Sequence, residues 1–199
     1  MMRIITGKAK GIRLATLEGE ATRPTSERTK EAVFSMLQFD IEDRRVLDLF
    51  AGSGQMGLEA LSRGAHSAVL VDHAKAAISV IKQNIEKTKL EGASTVCADS
   101  LEFLRAEGRK RNGSAKFDIV FLDPPYADRI IPRALDLLLS GRLIKRTSLI
   151  VCESASNDDV FGGKDELEAR FEVLRTMKHG IAYVNLITPK KSDGEENDN

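Results

Sequence analysis

The sequence predicts an α/β fold in which a mostly parallel sheet of seven strands, with an antiparallel last strand, is covered by helices on both faces. Strand-like apolar runs alternate with helical patterns along the chain, which implies crossover connections between parallel strands. The 199 residues are enough for one domain of this class, and a content of 42% apolar and 30% charged residues is an ordinary globular balance. We therefore expect ligands to bind at the carboxyl ends of the strands.

Each element follows from a local pattern. Short apolar runs predict strands at 44–50, 66–72, 94–99, 117–123 and 148–154, followed by an antiparallel pair, 171–180 and 181–189, around Gly180. Apolar residues at helical spacing predict helices at 56–63, 75–90, 100–108 and 131–141. In the longest of these helices, one face carries Ala77, Ile78, Ile81, Ile85 and Leu90.

Three regions are distinguished by composition. Residues 1–40 form an N-terminal extension, in which RIITGKAKGIRLATL predicts a small β-hairpin and residues 27–37 predict a helix capped by Thr25 or Ser26. Residues 41–189 form the main domain. Residues 190–199 are polar and acidic, which predicts a disordered tail.

The overall composition excludes several classes of protein. The charges balance, with 30 basic and 30 acidic residues, so any contact with nucleic acid has to come from a local patch. No apolar run approaches the roughly 18 residues of a membrane-spanning helix, and the N-terminal stretch lacks the hydrophobic core of a signal peptide. Two cysteines are too few for a disulfide framework, so we expect a cytoplasmic protein with reduced thiols.

A glycine-rich loop follows the first strand of the main domain. Gly52, Gly54 and Gly57 spell G-x-G-x-x-G, and Asp72 stands 20 residues after Gly52 at the end of the next strand. This spacing satisfies the dinucleotide fingerprint, in which the acid binds a ribose diol. The motif is shared by many nucleotide-binding sheets, and a plain strand-to-helix turn is the simpler alternative.

Asp48, just before the loop, favours S-adenosylmethionine over a dinucleotide. A pyrophosphate placed against this loop would be repelled by a nearby carboxylate. S-adenosylmethionine carries no phosphate, and its ammonium and sulfonium groups are both attracted by an acid. Asp99 ends the third strand, where its carboxylate can accept a hydrogen bond from the adenine amine beside the Ser100 N–H, or cap the following helix, or do both.

The fourth strand runs into the tetrapeptide Asp123-Pro124-Pro125-Tyr126. Two prolines fix the backbone and remove two donors, which leaves the Pro124 carbonyl available as an acceptor. Together with the Asp123 carboxylate it can hold both N–H groups of an exocyclic amine, while Tyr126 stacks on the base. The three catalytic candidates are therefore Asp123, Pro124 and Tyr126. A rigid turn is the alternative interpretation.

Neither a carbon-methylating thiol nor a metal site is expected. Cys97 and Cys152 both lie inside apolar strands and neither follows a proline, so we interpret both as inert core residues. His66, His73 and His179 have no metal-ligand spacing with the cysteines.

Four segments of the chain form a distinctive combination, namely RIITGKAKGIRL (3–14), RPTSERTKEAVFSML (23–37), DLFAGSGQMGLEALSRGA (48–65) and FLDPPY (121–126). In this combination the chain resembles the bacterial methyltransferases that form N2-methylguanine in 16S ribosomal RNA of the small subunit. The resemblance extends over residues 2–188, and the N-terminal segment is its most specific part. Asp72 stands where the family often has glutamate, a departure of one methylene.

The resemblance implies a Rossmann-like, class I S-adenosylmethionine-dependent methyltransferase whose N-terminal extension contacts RNA and covers the site. The implied donor-binding residues are Asp48, Phe50, Gly52, Gly54, Asp72, Asp99 and Ser100. Candidate RNA contacts are Lys8, Lys10 and Arg13 on the hairpin, together with Arg23 and Arg28. For Arg23 and Arg28, helix capping and surface charge are the alternative. The implied partner is 16S ribosomal RNA, within the small subunit or an assembly intermediate, and we expect a monomer.

Three other functions are compatible with parts of the pattern. An N6-adenine DNA methyltransferase would use the same tetrapeptide, although such enzymes usually need an added domain to recognise sequence. A non-catalytic module that binds S-adenosylmethionine or RNA would have no use for an intact Asp123-Pro124-Pro125-Tyr126. An NAD-dependent oxidoreductase would bind NAD in place of S-adenosylmethionine.

Overall fold

The computed structural model describes residues 2–17, 27–110, 115–125, 130–156, 160–180 and 182–190. The helices in these residues are α1 (Glu27–Met36), α2 (Gln55–Ser62), α3 (Lys75–Thr88), α4 (Ser100–Gly108), α5 (Ile131–Ser140) and the short α6 (Asp165–Glu168). The strands are β1 (Arg45–Asp48), β2 (Ser67–Asp72), β3 (Ala93–Cys97), β4 (Phe117–Leu122), β5 (Ile144–Ser154), β6 (Phe171–His179) and β7 (Ala182–Pro189). Every helix and strand predicted within residues 27–189 is present, and α6 is an addition to them.

The seven strands form one sheet in the order β3-β2-β1-β4-β5-β7-β6. The pairs β2–β3, β1–β2, β1–β4 and β4–β5 are parallel, and β7 is antiparallel to both of its neighbours. The Rossmann-like prediction, a mostly parallel sheet with an antiparallel last strand, is confirmed. Because β1 to β4 run in one direction, their carboxyl ends form one continuous edge.

Apolar side chains cover both faces of this sheet. On one face, helix α5 and its neighbours pack through residues such as Leu135 and Phe117, both 0% exposed. On the other face, the N-terminal residues Ile4 and Leu14 and the α1 residue Phe34 join the same cluster as α2 and α3. The N-terminal segment therefore shares the hydrophobic core of the sheet.

Residues 2–17 fold back on themselves as the glycine spacing predicts. The Ile4 N–H donates to the Ile12 carbonyl (3.0 Å) and the Gly11 N–H to the Ile4 carbonyl (2.8 Å). Pairing is limited to one antiparallel bridge, between Arg3 and Arg13. The turn lies directly on α2, since a Cβ on Gly7 would come within 1.7 Å of the Ser62 carbonyl oxygen. The proposed helix caps Thr25 and Ser26 lie outside the described residues, as does the acidic tail 191–199.

The prediction that Cys97 is a buried thiol is wrong. Strand β3 is an edge strand paired only with β2 in the described sheet, and Cys97 at its end is exposed. An edge strand at the rim of the sheet is covered less completely than a central one, which an apolar sequence alone does not reveal. The prediction is confirmed for Cys152, which is buried on β5, and burial raises the pKa of its thiol.

No helix of the described residues is long and apolar enough to cross a membrane.

Candidate active site

The glycine loop joins β1 to α2 and reaches into the carboxyl edge of the sheet. Its backbone is anchored on both sides, because the Leu49 N–H donates to Phe121 on β4 (3.2 Å) and the Ala51 N–H to Val71 on β2 (2.9 Å). Gly52 and Gly54 both have positive φ angles, +51° and +79°, a backbone conformation that residues with a Cβ rarely adopt. A Cβ on Gly52 would meet no atom within 4 Å, so this part of the loop presents bare backbone to open space.

Asp72, at the end of β2, holds the loop from the side. Its Oδ2 accepts a hydrogen bond from the Gly52 N–H (2.9 Å), and its Oδ1 accepts one from the Ala74 N–H (2.8 Å). The side chain is 13% exposed. A carboxylate has about four acceptor positions, so both oxygens retain capacity for the hydroxyl groups of a ribose.

Asp48 lies beneath the loop, 3% exposed, with its Oδ2 accepting a hydrogen bond from the Gly57 N–H at 3.0 Å. Burial raises the pKa of this carboxyl to about 7, the hydrogen bond from Gly57 counteracts part of the rise, and the charge of Asp72 adds to it. Buried in this way, Asp48 could influence a ligand at the loop through its charge. A cationic ligand would favour its ionised form.

Replacing Asp48 with asparagine is expected to make protein stability less sensitive to pH. Between its ordinary pKa of 3.8 and its folded value of about 7, the folded wild type binds more protons than the unfolded chain, so its free energy of unfolding falls as pH rises. Asparagine does not ionise, yet its Oδ1 can still accept the Gly57 hydrogen bond. Urea unfolding of the ligand-free proteins between pH 5 and 8 should show the free energy of unfolding of Asp48→Asn rising relative to that of wild type, by about 1.4 kcal/mol per pH unit at most.

Asp118→Asn provides a control, because the pKa of Asp118 is shifted in the opposite direction from that of Asp48. Although burial acts to raise its pKa, hydrogen bonds from Lys145 and the Arg45 N–H hold the pKa of Asp118 below its ordinary value. This variant should be less stable than wild type by a constant amount from pH 5 to 8. A pH-independent difference between Asp48→Asn and wild type would contradict the raised pKa of Asp48.

Asp99 caps α4. Its Oδ1 accepts hydrogen bonds from the N–H groups of Leu101 and Glu102, both at 3.0 Å, which confirms the capping role. Asp99 is exposed at the rim of the sheet, and Ser100 beside it is buried. Phe50, in the glycine loop, is partly buried against the core on the α5 side.

The acceptor candidates follow β4, the strand next to β1. Phe121 on β4 pairs with Asp48 on β1, so Asp123 two residues later lies at the carboxyl edge of the sheet beside the glycine loop. Asp123 is half-buried and Pro124 is buried, whereas Pro125 is exposed. Tyr126 lies outside the described residues.

The candidate RNA contacts are only partly within the described residues. Exposed side chains are found at Lys8, Lys10, Arg13 and Arg28, and Arg23 lies outside the described range. Lys30, which contributes to the positive charge of the N-terminal segment, is 1% exposed and pairs with Glu59 at 3.4 Å. Its charge is therefore not available at the surface.

Sequence reasoning missed a set of buried polar residues that join the N-terminal segment to the helices beside the glycine loop. Glu59 and Ser62 on α2, and Asn84 on α3, are each at most 2% exposed and bind the backbone of residues 5–15. A glutamate inside the apolar α2 pattern, and an asparagine on the apolar stripe of α3, are the signals that could have identified them.

The arrangement fits S-adenosylmethionine by its chemistry. Acidic side chains end four neighbouring strands or stand just beyond them, namely Asp48, Asp72, Asp99 and Asp123. Carboxylates suit a donor with two cationic centres, a ribose diol and an adenine amine. The bare backbone at Gly52 leaves room for such a ligand to approach the loop closely.

Comparison with known proteins agrees with this geometry. The family described as Conserved hypothetical protein 95 matches residues 2–187. The Ribosomal RNA small subunit methyltransferase D of Escherichia coli strain K12 is 35% identical over 183 residues, which is 92% of this chain and 87% of that protein. The protein of the same name from Haemophilus influenzae is 36% identical over 155 residues, 77% of this chain and 78% of that protein.

Solved structures give the same result for the fold. The structure of yhhF from Escherichia coli has a TM-score of 0.80 and 29% identity, covering 95% of this chain and 98% of that chain. A crystal structure of a Haemophilus influenzae protein has a TM-score of 0.77 and 30% identity, covering 96% of this chain and 99% of that chain.

Proposed function

The chain belongs to the Conserved hypothetical protein 95 family, and we propose that it is an S-adenosylmethionine-dependent methyltransferase that modifies the exocyclic N2 amine of a guanine in 16S ribosomal RNA. The observation that carries this proposal is the adjacency of two features at one edge of the sheet. An acid-flanked glycine loop follows β1, and Asp123-Pro124-Pro125 follows β4, the strand paired with β1. Its relatives named as small-subunit ribosomal RNA methyltransferases support ribosomal RNA as the substrate.

The donor side binds and orients S-adenosylmethionine, which supplies an activated methyl group when bound. Asp72 and Asp99 receive the ribose hydroxyls and the adenine amine, and the backbone at Gly52 and Gly54 lies against the amino-acid part. Asp48 contributes negative charge from below the loop. Phe50 and Ser100 complete this side of the site.

The acceptor side holds the amine of the base. Its nitrogen lone pair is delocalised into the ring, so the protein has to fix the nitrogen in line with the methyl group. The Asp123 carboxylate and the Pro124 carbonyl accept hydrogen bonds from the two N–H groups, and Tyr126 stacks on the base. As the new N–C bond forms, the bond between the methyl group and sulfur breaks and S-adenosylhomocysteine is the leaving group. Positive charge meanwhile develops on the nitrogen, so Asp123 also stabilises the transition state. The methylated amine then loses a proton, for which no separate base is needed.

Reaching a guanine amine requires the base to leave its stack, so RNA has to be held beside the pocket. Lys8, Lys10, Arg13 and Arg28, with Arg23 beyond the described residues, supply phosphate contacts from the N-terminal segment. The substrate is the RNA within the small subunit or an assembly intermediate, and the enzyme acts as a monomer in the cytoplasm.

Methyl mapping tests this function. The purified protein and labelled S-adenosylmethionine are incubated with small ribosomal subunits from cells that lack the protein, and the RNA is digested to nucleosides. Label is expected in N2-methylguanosine, at about one methyl group per subunit. Subunits from wild-type cells, already methylated, should accept no label and serve as the matched control.

Other outcomes would each overturn a part of the proposal. Label in N6-methyladenine would overturn the substrate base. Binding of S-adenosylmethionine without transfer to any subunit or free RNA would support a non-catalytic module, and binding of NAD alone would support an oxidoreductase.

A further inference from the structure

The N-terminal segment is hydrogen-bonded to the glycine loop, the proposed binding site of the methyl donor and called the donor loop below, through one buried side chain, Asn84 on α3. This residue is 0% exposed. Its Oδ1 accepts a hydrogen bond from the Ala15 N–H at 2.7 Å, and its Nδ2 donates to the Ala15 carbonyl at 3.0 Å. Both polar groups of the Ala15 backbone are thereby bound to one amide.

The same Nδ2 also donates to the Ser53 carbonyl at 2.9 Å. Ser53 stands between Gly52 and Gly54, the two loop residues with positive φ. The amide of Asn84 therefore joins Ala15, two residues after the basic Arg13, to the middle of the donor loop. Both donor positions of the amide are used in these bonds.

Further contacts link the same two parts of the chain. The Ser53 Oγ donates to the Met2 Sδ at 2.9 Å, and α2, which begins directly after the loop, binds the N-terminal backbone through Ser62. Ser62 Oγ accepts from the Ala9 N–H (3.0 Å) and donates to the Thr6 carbonyl (2.6 Å). The segment that carries Lys8, Lys10 and Arg13 is therefore bonded to the middle of the glycine loop at Ser53 and to the last residue of α2, the helix that follows the loop.

We propose that Asn84 is a positioning residue that couples RNA binding by the N-terminal segment to donor binding by the glycine loop. This inference rests on the proposed function, since it requires both ligands. RNA bound to the N-terminal segment fixes the position of Ala15. Asn84, which is bonded to Ala15, then fixes the Ser53 carbonyl, so the glycine loop is ordered before the donor binds. Donor binding then costs less conformational entropy of the loop, which raises the affinity for the donor. By thermodynamic linkage, bound donor raises the affinity for RNA by the same factor.

The coupling is measured with S-adenosylhomocysteine, which occupies the donor site and transfers nothing. Its dissociation constant is determined alone and with saturating small ribosomal subunits from cells that lack the protein. We expect wild type to bind it about fivefold or more tightly when subunits are present. Asn84→Ala should reduce this ratio to below about twofold. Asn84→Asp retains an acceptor for the Ala15 N–H but loses the donor to Ser53, and should reduce the ratio similarly.

Thr88→Val is the matched control. Thr88 is buried one turn further along α3, and among the described residues its hydroxyl donates within its own helix, to the carbonyls of Asn84 (2.8 Å) and Ile85 (3.2 Å). This variant should keep the wild-type ratio. If the Asn84 variants weaken both affinities but leave the ratio unchanged, the residue has a structural role only and the proposal is overturned.

Hydrogen exchange in wild type tests the coupling without any substitution. S-adenosylhomocysteine should slow exchange of the Ala15 N–H, which is bonded to Asn84, and leave the Lys190 N–H, bonded to the Arg170 carbonyl, unchanged. An unchanged Ala15 amide would overturn the coupling even if the Asn84 variants do not fold. A wild type that methylates subunits but shows no coupling overturns only this inference, whereas one that binds no S-adenosylhomocysteine overturns the proposed function itself.

Discussion

Replacing Asp123 with alanine is expected to lower kcat for methyl transfer by about a thousandfold while leaving the affinity for S-adenosylhomocysteine within about threefold of wild type. The carboxylate is lost from the acceptor side, so the target amine loses both an acceptor and a stabilising charge. The donor side, built from the loop and Asp72, is left intact. Calorimetry with S-adenosylhomocysteine and single-turnover transfer to subunits separate the two effects.

Asp72→Ala is the matched comparison, because it removes a carboxylate from another strand end at the same edge of the sheet, on the donor side. It should raise KM for S-adenosylmethionine, and reduce kcat at saturating donor far less than Asp123→Ala does. If Asp123→Ala transfers methyl groups at the wild-type rate, or if both variants lose the same parameter, the division of the site into donor and acceptor sides is wrong.

The elements of this fold could be predicted because each has a local pattern. The glycine loop, Asp72 and Asp123 are placed by strand ends, and a strand end is visible in the sequence as the point where an apolar run stops. The pairing of β7 between β5 and β6 could not be predicted, since it depends on contacts between distant segments. The sequence also does not show that β5 begins at Ile144, four residues before the predicted start, or that its pairing with β4 is irregular between Ile144 and Leu149.

Burial was predicted less well than secondary structure. Cys97 lies in an apolar stretch of sequence yet is exposed, because β3 is the edge strand of the sheet. Glu59 and Asn84, by contrast, are polar yet fully buried. Both buried residues satisfy the backbone of a segment more than 40 residues away in sequence. A polar residue on an apolar helix face is a recognisable signal, but its partner can be identified only when the tertiary structure is known.

Replacing Glu59 with alanine is expected to destabilise the protein by about 3–5 kcal/mol, the range for removing one partner of a buried ion pair. Glu59 is 0% exposed and accepts hydrogen bonds from Ile5 N–H (2.8 Å), Thr6 N–H (3.0 Å) and Arg63 Nε (2.9 Å). It also pairs with Lys30, which is 1% exposed and whose Nζ donates to the Arg3 carbonyl at 2.6 Å. Without Glu59 the Lys30 charge stays buried without its counter-ion, and two backbone N–H groups lose their acceptor. Urea unfolding at pH 7 measures the loss.

The pH dependence of this loss identifies its cause. Burial lowers the pKa of Lys30 and the charge of Glu59 counteracts the effect, so removing Glu59 lowers that pKa further. A lysine with a lowered folded pKa releases its proton before the unfolded chain does, and stability then rises with pH up to the unfolded value. In Glu59→Ala the free energy of unfolding begins to rise at a lower pH than in wild type. The difference in free energy of unfolding between the two proteins should therefore become smaller between pH 7 and 10.

One further variant separates the effect of the unpaired Lys30 charge from that of the lost hydrogen bonds, and a second serves as a surface control. Lys30→Met in the Glu59→Ala background removes the unpaired charge and should restore part of the stability, leaving the cost of the unsatisfied Ile5 and Thr6 amides. Glu86→Ala, which removes an exposed acid from α3, should change stability by no more than about 0.5 kcal/mol. A Glu59→Ala deficit that is small, or that Lys30→Met enlarges, would mean that the ion pair does not hold the N-terminal segment on α2.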